Sequence, residues 1–192
     1  MPRKKYILGF VGSPRTDGNT DFLVTEILNS ARNNGARIEK ICLNKLNILP
    51  CQGCDYCKTY RHCKQKDDMQ LIYEKIRKAH GIVLGSPTYF GNPTGQTKTF
   101  IDRFYAFYDR NFRLRIRGRK RGAIVFIWAE KSKSYANHRK PSIDFLASVM
   151  QYTLKAKIVG KLVGGGISTI GDAAANEGMT RKAMVIGRRL VV

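Results

Sequence analysis

Residues 5–35 read KYILGFVGSPRTDGNTDFLVTEILNSARNNG. The opening KYILGFVG is a near-continuous apolar run without alternation, as expected of a strand buried on both faces. From Thr20 onward the period changes. Phe22, Leu23, Ile27 and Leu28 recur at helical spacing, and Gly35 closes the segment. Between the two lies a glycine- and hydroxyl-rich turn, GSPRTDGNT. A buried strand feeding a helix through such a turn is the first step of a parallel α/β sheet.

The rest of the chain repeats that step. RIEKICL (37–43), GIVLGSP (81–87), GAIVFIWA (122–129) and AKIVGKLVGG (156–165) read as further strands. DDMQLIYEKIRKAHG (67–81) places acids at its start and bases at its end, the order a helix dipole favours. Helices are also expected over 94–108, over 141–153 and near 172–190. Five strands alternating with helices predict a three-layer α/β sandwich of flavodoxin-like type, with a five-stranded parallel sheet in the order 2-1-3-4-5. No repeat or low-complexity linker divides the chain, so a single domain over 1–192 is expected. In this fold a ligand lies beyond the carboxyl ends of the strands, where strands one and three diverge.

The loop after strand one, Gly12 to Thr20, suits a phosphate. Backbone N–H groups at a helix N-terminus favour an anion, and Ser13, Arg15, Thr16, Asn19 and Thr20 add donors. It is neither a Walker A loop nor G-x-G-x-x-G: Gly12 and Gly18 are one residue too far apart, and Asn19 stands where the lysine would be. The same residues would also serve as an ordinary strand-to-helix turn with a good cap. The loop after strand three, SPTYFGNPTGQTKTFIDRF (86–104), is rigid and aromatic. It can lay backbone amides and ring edges against a flat heterocycle, or simply cover the core.

Together, GSPR…GNT and SPTYFGNPTGQTKTFIDR resemble the NAD(P)H-dependent FMN reductase and flavodoxin-like superfamily, over residues 5 to about 165. The resemblance implies that Ser13, Arg15, Asn19 and Thr20 hold the FMN phosphate. It implies that Pro87, Thr88, Tyr89, Phe90, Gly91 and Asn92 hold the isoalloxazine. The resemblance implies that the loop WAEKSKSY after strand four approaches the flavin too, but it lacks the glycines common in relatives, so no residue is carried over from it.

After strand two comes CQGCDYCKTYRHC, in which Cys51, Cys54, Cys57 and Cys63 form C-x2-C-x2-C-x5-C. Soft thiolates suit zinc or an iron–sulfur cluster. Structural zinc usually shows two C-x2-C pairs with a longer spacer, whereas a compact run of three is more typical of a cluster. A metal-free thiol segment is the remaining alternative. His62 adjoins Cys63, but four thiolates already complete a site, and Cys42 within strand two reads as a small buried hydrophobe. A cysteine motif at this point of a flavodoxin-like fold resembles the iron–sulfur flavoproteins of archaea and anaerobic bacteria. That resemblance implies FMN, a [4Fe–4S] cluster on the segment 48–66, and a dimer or tetramer bringing the cluster of one subunit near the flavin of another.

Composition sets the remaining bounds. Lys and Arg number 35 against 14 Asp and Glu, a formal charge of +21, which admits nucleic acid, an anionic surface or an acidic protein as partner. RNFRLRIRGRKRG (110–122) reads as a basic stripe able to dock an acidic electron carrier such as ferredoxin, or as a solvated edge. No nucleic-acid-binding signature is present, so a nucleic-acid-binding protein with a zinc knob is the poorer alternative. No apolar run approaches the roughly 20 residues of a membrane span. The N-terminus is basic then apolar, but too short for a signal peptide, and a cytoplasmic protein is expected. His62, His80 and His138 are scattered, no acid–base dyad or nucleophilic triad is evident, and no catalytic side chain is assigned. The expected activity is an FMN-dependent oxidoreductase passing electrons from ferredoxin or NAD(P)H to an acceptor. An NAD(P)H-dependent FMN or quinone reductase with zinc or no metal at the cysteines is the alternative.

Overall fold

The computed structural model describes residues 4–192, with only the backbone described over 133–136. Five parallel strands form the sheet: β1 (Tyr6–Val11), β2 (Arg37–Cys42), β3 (Gly81–Tyr89), β5 (Lys120–Ile127) and β6 (Ala156–Gly164). Their spatial order is β2-β1-β3-β5-β6, the 2-1-3-4-5 order expected from the sequence. A two-residue strand, β4 (Asn92–Pro93), folds back antiparallel on the end of β3. Among the described residues no helix is long and apolar enough to cross a membrane.

Alternation along the buried strands divides the core. Leu8, Phe10, Ile82, Leu84, Ile124 and Phe126 face α3 (Met69–Lys78), α4 (Gly95–Asp102) and α5 (Lys133–Ser148). On that side Phe10 packs on Phe100 and Phe100 on Phe104, with ring centroids 4.6 and 4.8 Å apart, within the range of favourable aromatic pairs. Ile7, Val11, Val83, Val125 and Leu162 face α1 (Asn19–Asn33) and α7 (Glu177–Val191). The central strands β1, β3 and β5 therefore carry apolar side chains on both faces, which is why they read as runs rather than alternations, whereas the edge strand β2 is half-exposed.

Several boundaries differ from the expectation, each for a physical reason. α5 begins at Lys133, eight residues before the expected start, and carries Pro141 in its interior. Residues 137–140 are mostly exposed, so no apolar period announces that stretch. α5 then widens into a π turn over Val149–Thr153. The helix expected over 94–108 tightens after Asp102 into a 3-10 segment, Arg103–Phe107. The last helix divides into α6 (Asp172–Ala175) and α7, because Asn176 leaves helical geometry and its side chain accepts from Met179 N at 3.0 Å. β5 begins at Lys120, whose buried ammonium donates to the carbonyls of Arg77 and Ala79 at the end of α3. Burial lowers the pKa of that amine.

α7 lies against α1 at Gly187. A β-carbon there would stand 2.4 Å from the Ile27 carbonyl oxygen and 2.5 Å from Ser30 Cβ. Gly187→Ala must push the helices apart, at a cost of about 1–3 kcal/mol in urea unfolding. Gly95→Ala, which meets nothing within 4 Å, is expected to be neutral or stabilising by up to about 1 kcal/mol. Equal stability of Gly187→Ala and the wild type would show that this helix contact is looser than described.

Candidate functional site

Two loops meet at the carboxyl end of β1 and β3 because a buried hydroxyl cluster holds them together. Thr94 Oγ1 donates to Gly12 O at 2.6 Å, so it must accept the 2.8 Å bond from Thr97 Oγ1. Ser86 Oγ donates to Pro87 O and accepts from Thr94 N at 3.1 Å. All three hydroxyl residues are fully buried. Gly12 N also donates to Gly85 O at 2.7 Å. A β-carbon at Gly12 would fall 1.8 Å from Thr97 Oγ1, so only glycine admits this approach.

The first loop then runs into α1. Gly18 stands at the cap position and supplies no side-chain bond, leaving the first-turn N–H groups without intrahelical acceptors. Asp21 in that turn pairs with Lys40 Nζ at 2.5 Å, so it offers no unpaired negative charge to the loop. Ser13 Oγ accepts from Arg15 N at 3.1 Å. Arg15 reaches the Ser168 carbonyl at 3.1 Å. Asn19 donates to Thr169 O at 2.7 Å and accepts from Gly171 N and Ala173 N. The loop after β6 is thus stitched to the loop after β1.

These loops enclose a cleft of about 170 Å³. Seven of the sequence-selected residues line it: Ser13, Arg15, Asn19, Thr20, Pro87, Thr88 and Tyr89. Thr88 Oγ1 is buried there without a hydrogen-bond partner, a polar group left over for a ligand. Phe90, Gly91 and Asn92 do not line the cleft. They form the tight turn between β3 and β4, with Phe90 fully exposed at a φ of +50°. Ser142 on α5 holds this turn by donating to Gly91 O at 2.6 Å. The remaining walls are Gly18 before α1, Ile127 at the end of β5, Trp128 and Ala129 after it, and Ile167, Ser168 and Ile170 after β6. Trp128 and Ala129 belong to WAEKSKSY, the loop expected to approach a flavin with no residue assigned; the other walls were not assigned. The rule that ligands sit beyond strand carboxyl ends applies to the last two strands as well, and was the signal available. Of WAEKSKSY, the side chains of 133–136 lie outside the described residues. Beyond Trp128 and Ile167 the cleft opens into a wider depression of about 830 Å³.

A second pocket contains Cys51, Cys54, Cys57 and Cys63 together, all four as free thiols. Cys51 and Cys54 are exposed, Cys63 is half-buried and Cys57 is buried. Burial pushes the Cys57 thiol up; Lys58 opposes this, and Cys63 and Cys51 add to it. No cluster of three or more His, Cys, Asp or Glu among the described residues is drawn tightly enough to hold one metal ion. His62 is not in the lining; its Nδ1 lies 2.8 Å from Tyr60 O. Cys42 stands apart on β2, half-buried against the α1 side of the core, and burial raises its thiol too.

The cysteine segment carries little regular structure, one helical turn α2 (Tyr56–Tyr60) between Asp55 and Arg61, both at positive φ. Its shape is held from outside by residues 103–115. Tyr105 donates to Asp55 at 2.9 Å, and Lys58 Nζ donates to Tyr105 O at 3.0 Å while lying 3.4 Å over the Tyr105 ring. Arg110 donates to Thr59 Oγ1, and Arg115 donates to the carbonyls of Cys57 and Lys58. Arg115 in the expected basic stripe is therefore committed to the cysteine segment, and Ile116 beside it is buried. At the base, Arg103 forms a buried pair with Asp67. Burial alone would raise the Asp67 carboxyl; bonds from Arg103, Leu49 N and Met69 N hold it below the usual carboxylate range.

Comparison with known proteins adds family evidence. Residues 6–151 match the family described as NADPH-dependent FMN reductase. An iron-sulfur flavoprotein of Methanocaldococcus jannaschii is 43% identical over 97 residues, half of this chain and half of that protein. The chain thus spans half the length of that relative. An iron-sulfur flavoprotein of Archaeoglobus fulgidus is 33% identical over 86% of this chain and 71% of its own length. An NAD(P)H:quinone oxidoreductase from Methanothermobacter marburgensis superimposes with a TM-score of 0.75 over 98% of each chain at 15% identity, a likeness of fold.

The hydroxyl cluster has a direct test. Thr94→Val leaves the Gly12 carbonyl and Thr97 without their partner and is expected to cost about 1–3 kcal/mol in urea unfolding. Thr94→Ser retains the hydroxyl and most of the stability. Equal losses in both variants would mean that the methyl group, not the hydrogen bonds, holds the loops.

Proposed function

Because the chain belongs to the NADPH-dependent FMN reductase family and is a relative of the iron-sulfur flavoproteins, we propose that it is an FMN- and cluster-dependent oxidoreductase. The observation that carries this is the pairing of two pockets that share no lining residue: a loop cleft with an unspent buried hydroxyl, and a pocket of four free thiols. When bound, FMN exchanges electrons in pairs with a donor, and a [4Fe–4S] cluster exchanges them singly. The protein's part is to bind, orient and seclude.

In this reading the uncapped first turn of α1, with Ser13, Arg15, Asn19 and Thr20, holds the phosphate. Asn19 has one amide N–H spent on Thr169 and one left for the ligand. Pro87, Thr88 and Tyr89 flank the heterocycle, and Thr88 Oγ1 is the buried hydroxyl available to bond it. Ile127 and Trp128 are buried apolar walls that exclude water from the ring. Phe90, Gly91 and Asn92 reach a flavin only from the exposed hairpin tip, which favours a role toward a substrate or a neighbouring subunit.

Cys51, Cys54, Cys57 and Cys63 hold the cluster. A zinc ion needs four sulfurs about 2.3 Å from one point. In a cluster each thiolate binds a different iron, so sulfurs spread round a shared pocket suit it better. We take residues 1–192 as one domain, with 48–66 as its cluster-binding segment, working in the cytoplasm as a dimer or tetramer. NAD(P)H or a ferredoxin-like acidic carrier is the proposed donor, the latter docking on the exposed Arg113 and Arg117 left after Arg115 is spent.

The separateness of the pockets makes the proposal testable by substitution. Cys54→Ser and Cys57→Ser, purified and reconstituted without air, are expected to lose iron and sulfide but keep FMN. Arg15→Ala with Thr88→Val is expected to weaken FMN at least about tenfold while keeping iron, the worth of one charged hydrogen bond. Stoichiometric zinc without iron would overturn the cluster, and failure of wild type to take up FMN would overturn the flavin site.

A further inference from the structure

Arg103 is among the most deeply buried side chains of the molecule, 1% exposed, and it lines the cysteine pocket. A buried guanidinium is costly unless its donors are used. Here the use is specific. Both terminal nitrogens engage the buried Asp67 carboxylate as a fork, and NH1 also donates to Leu49 O at 2.7 Å. Asp67 in turn accepts from Leu49 N at 3.0 Å and Met69 N at 3.2 Å. The pair therefore ties the chain just before Cys51 to the chain just after Cys63. Tyr73 fixes the Arg103 backbone by donating to its carbonyl at 2.8 Å.

One interaction exceeds what closing the segment requires. NH2 of Arg103 lies 3.4 Å from Cys63 Sγ. Among the described residues no other sulfur of the four receives a side-chain hydrogen bond, and Nε of Arg103 is buried with no partner. A structural fork on Asp67 does not need a nitrogen on the sulfur. The guanidinium is also charged at every accessible pH, so the donor is permanent.

The geometry points to Arg103 as a positioning residue for the metal centre, one that fixes Cys63 Sγ and sets the reduction potential of the cluster through an N–H···S bond. This rests on the cluster reading above. A hydrogen bond from a cation to a ligating sulfur withdraws charge from it and favours the more negative, reduced state, so the potential rises. Asp67 holds the fork at one fixed orientation, and the bidentate geometry makes that orientation unavailable to lysine.

The test uses the FMN- and iron-loaded protein in a redox titration followed by EPR, with the flavin potential as internal reference. Arg103→Lys keeps the charge beside Asp67 but cannot span both carboxylate and sulfur. Arg103→Gln with Asp67→Asn removes both charges and leaves no orphan ion. Either variant, with iron content as in wild type, is expected to show an unchanged flavin potential. The ratio of reduced to oxidised cluster, poised at the wild-type midpoint, is expected to fall about tenfold, equivalent to about 59 mV for one electron. A loaded variant with the wild-type cluster midpoint overturns the role of Arg103. Should both variants fail to take up iron, pulsed EPR of reduced wild type grown with 15N-guanidino arginine decides: nitrogen coupling is expected, and its absence overturns the proposal. Wild type that binds FMN but no iron removes the cluster reading itself, and this proposal with it.

Discussion

Thr94 gives its hydroxyl proton to the carbonyl of Gly12, 2.6 Å away, and with Ser86 and Thr97 closes a dry knot between two loops that are 82 residues apart in sequence. Parallel strands bring the loops to the same edge of the sheet, but they do not set the distance between them. The knot does. With Gly12 held under Thr97, the first loop is fixed against the second, and Gly18, Asn19 and Thr20 at the start of α1 line the cleft together with Thr88. The loop after β6 is then drawn in through Asn19 and Arg15. The carboxyl ends of four strands, β1, β3, β5 and β6, thus form one cavity.

The cysteine segment follows the opposite logic. It has almost no regular structure of its own and three left-handed residues, Gly53, Asp55 and Arg61. Such a backbone persists only where its surroundings determine it. Here they do so with cations: Lys58, Arg103, Arg110 and Arg115 all spend donors on or from this segment. Some of the excess of 35 basic over 14 acidic residues is thereby explained. In the proposed cluster the four cysteines would bind as anionic thiolates, and a frame of cations would make that charge less costly. The same cations leave the segment fixed relative to the body of the domain, as an electron-transfer centre needs.

Much of this was legible in the sequence. The central strands were, because β1, β3 and β5 are largely buried on both faces and read as apolar runs; the strand order followed from alternation with helices. The first loop was legible from its glycines and hydroxyls, and the gathering of the four cysteines around one pocket from their spacing. What was not legible involved contacts distant in sequence or residues without periodicity. α5 was missed from Lys133 to Lys140; over 137–140 the residues are mostly exposed and carry no apolar period. Phe90, Gly91 and Asn92 looked like cleft residues because they adjoin Pro87–Tyr89, but a hairpin turns them out to solvent. Arg115 looked like part of a surface stripe because nothing local reveals its bond to Cys57 O, 58 residues back. Ser168 and Thr169, bonded to the first loop across about 150 residues, gave no motif at all.

In the proposed function one chain carries a two-electron and a one-electron centre at separate sites. A coulometric reductive titration of the anaerobically reconstituted protein counts them directly. Three electrons per chain are expected, two bleaching the flavin absorption and one accompanying the appearance of a reduced-cluster EPR signal. Uptake of two electrons with no such signal would contradict it.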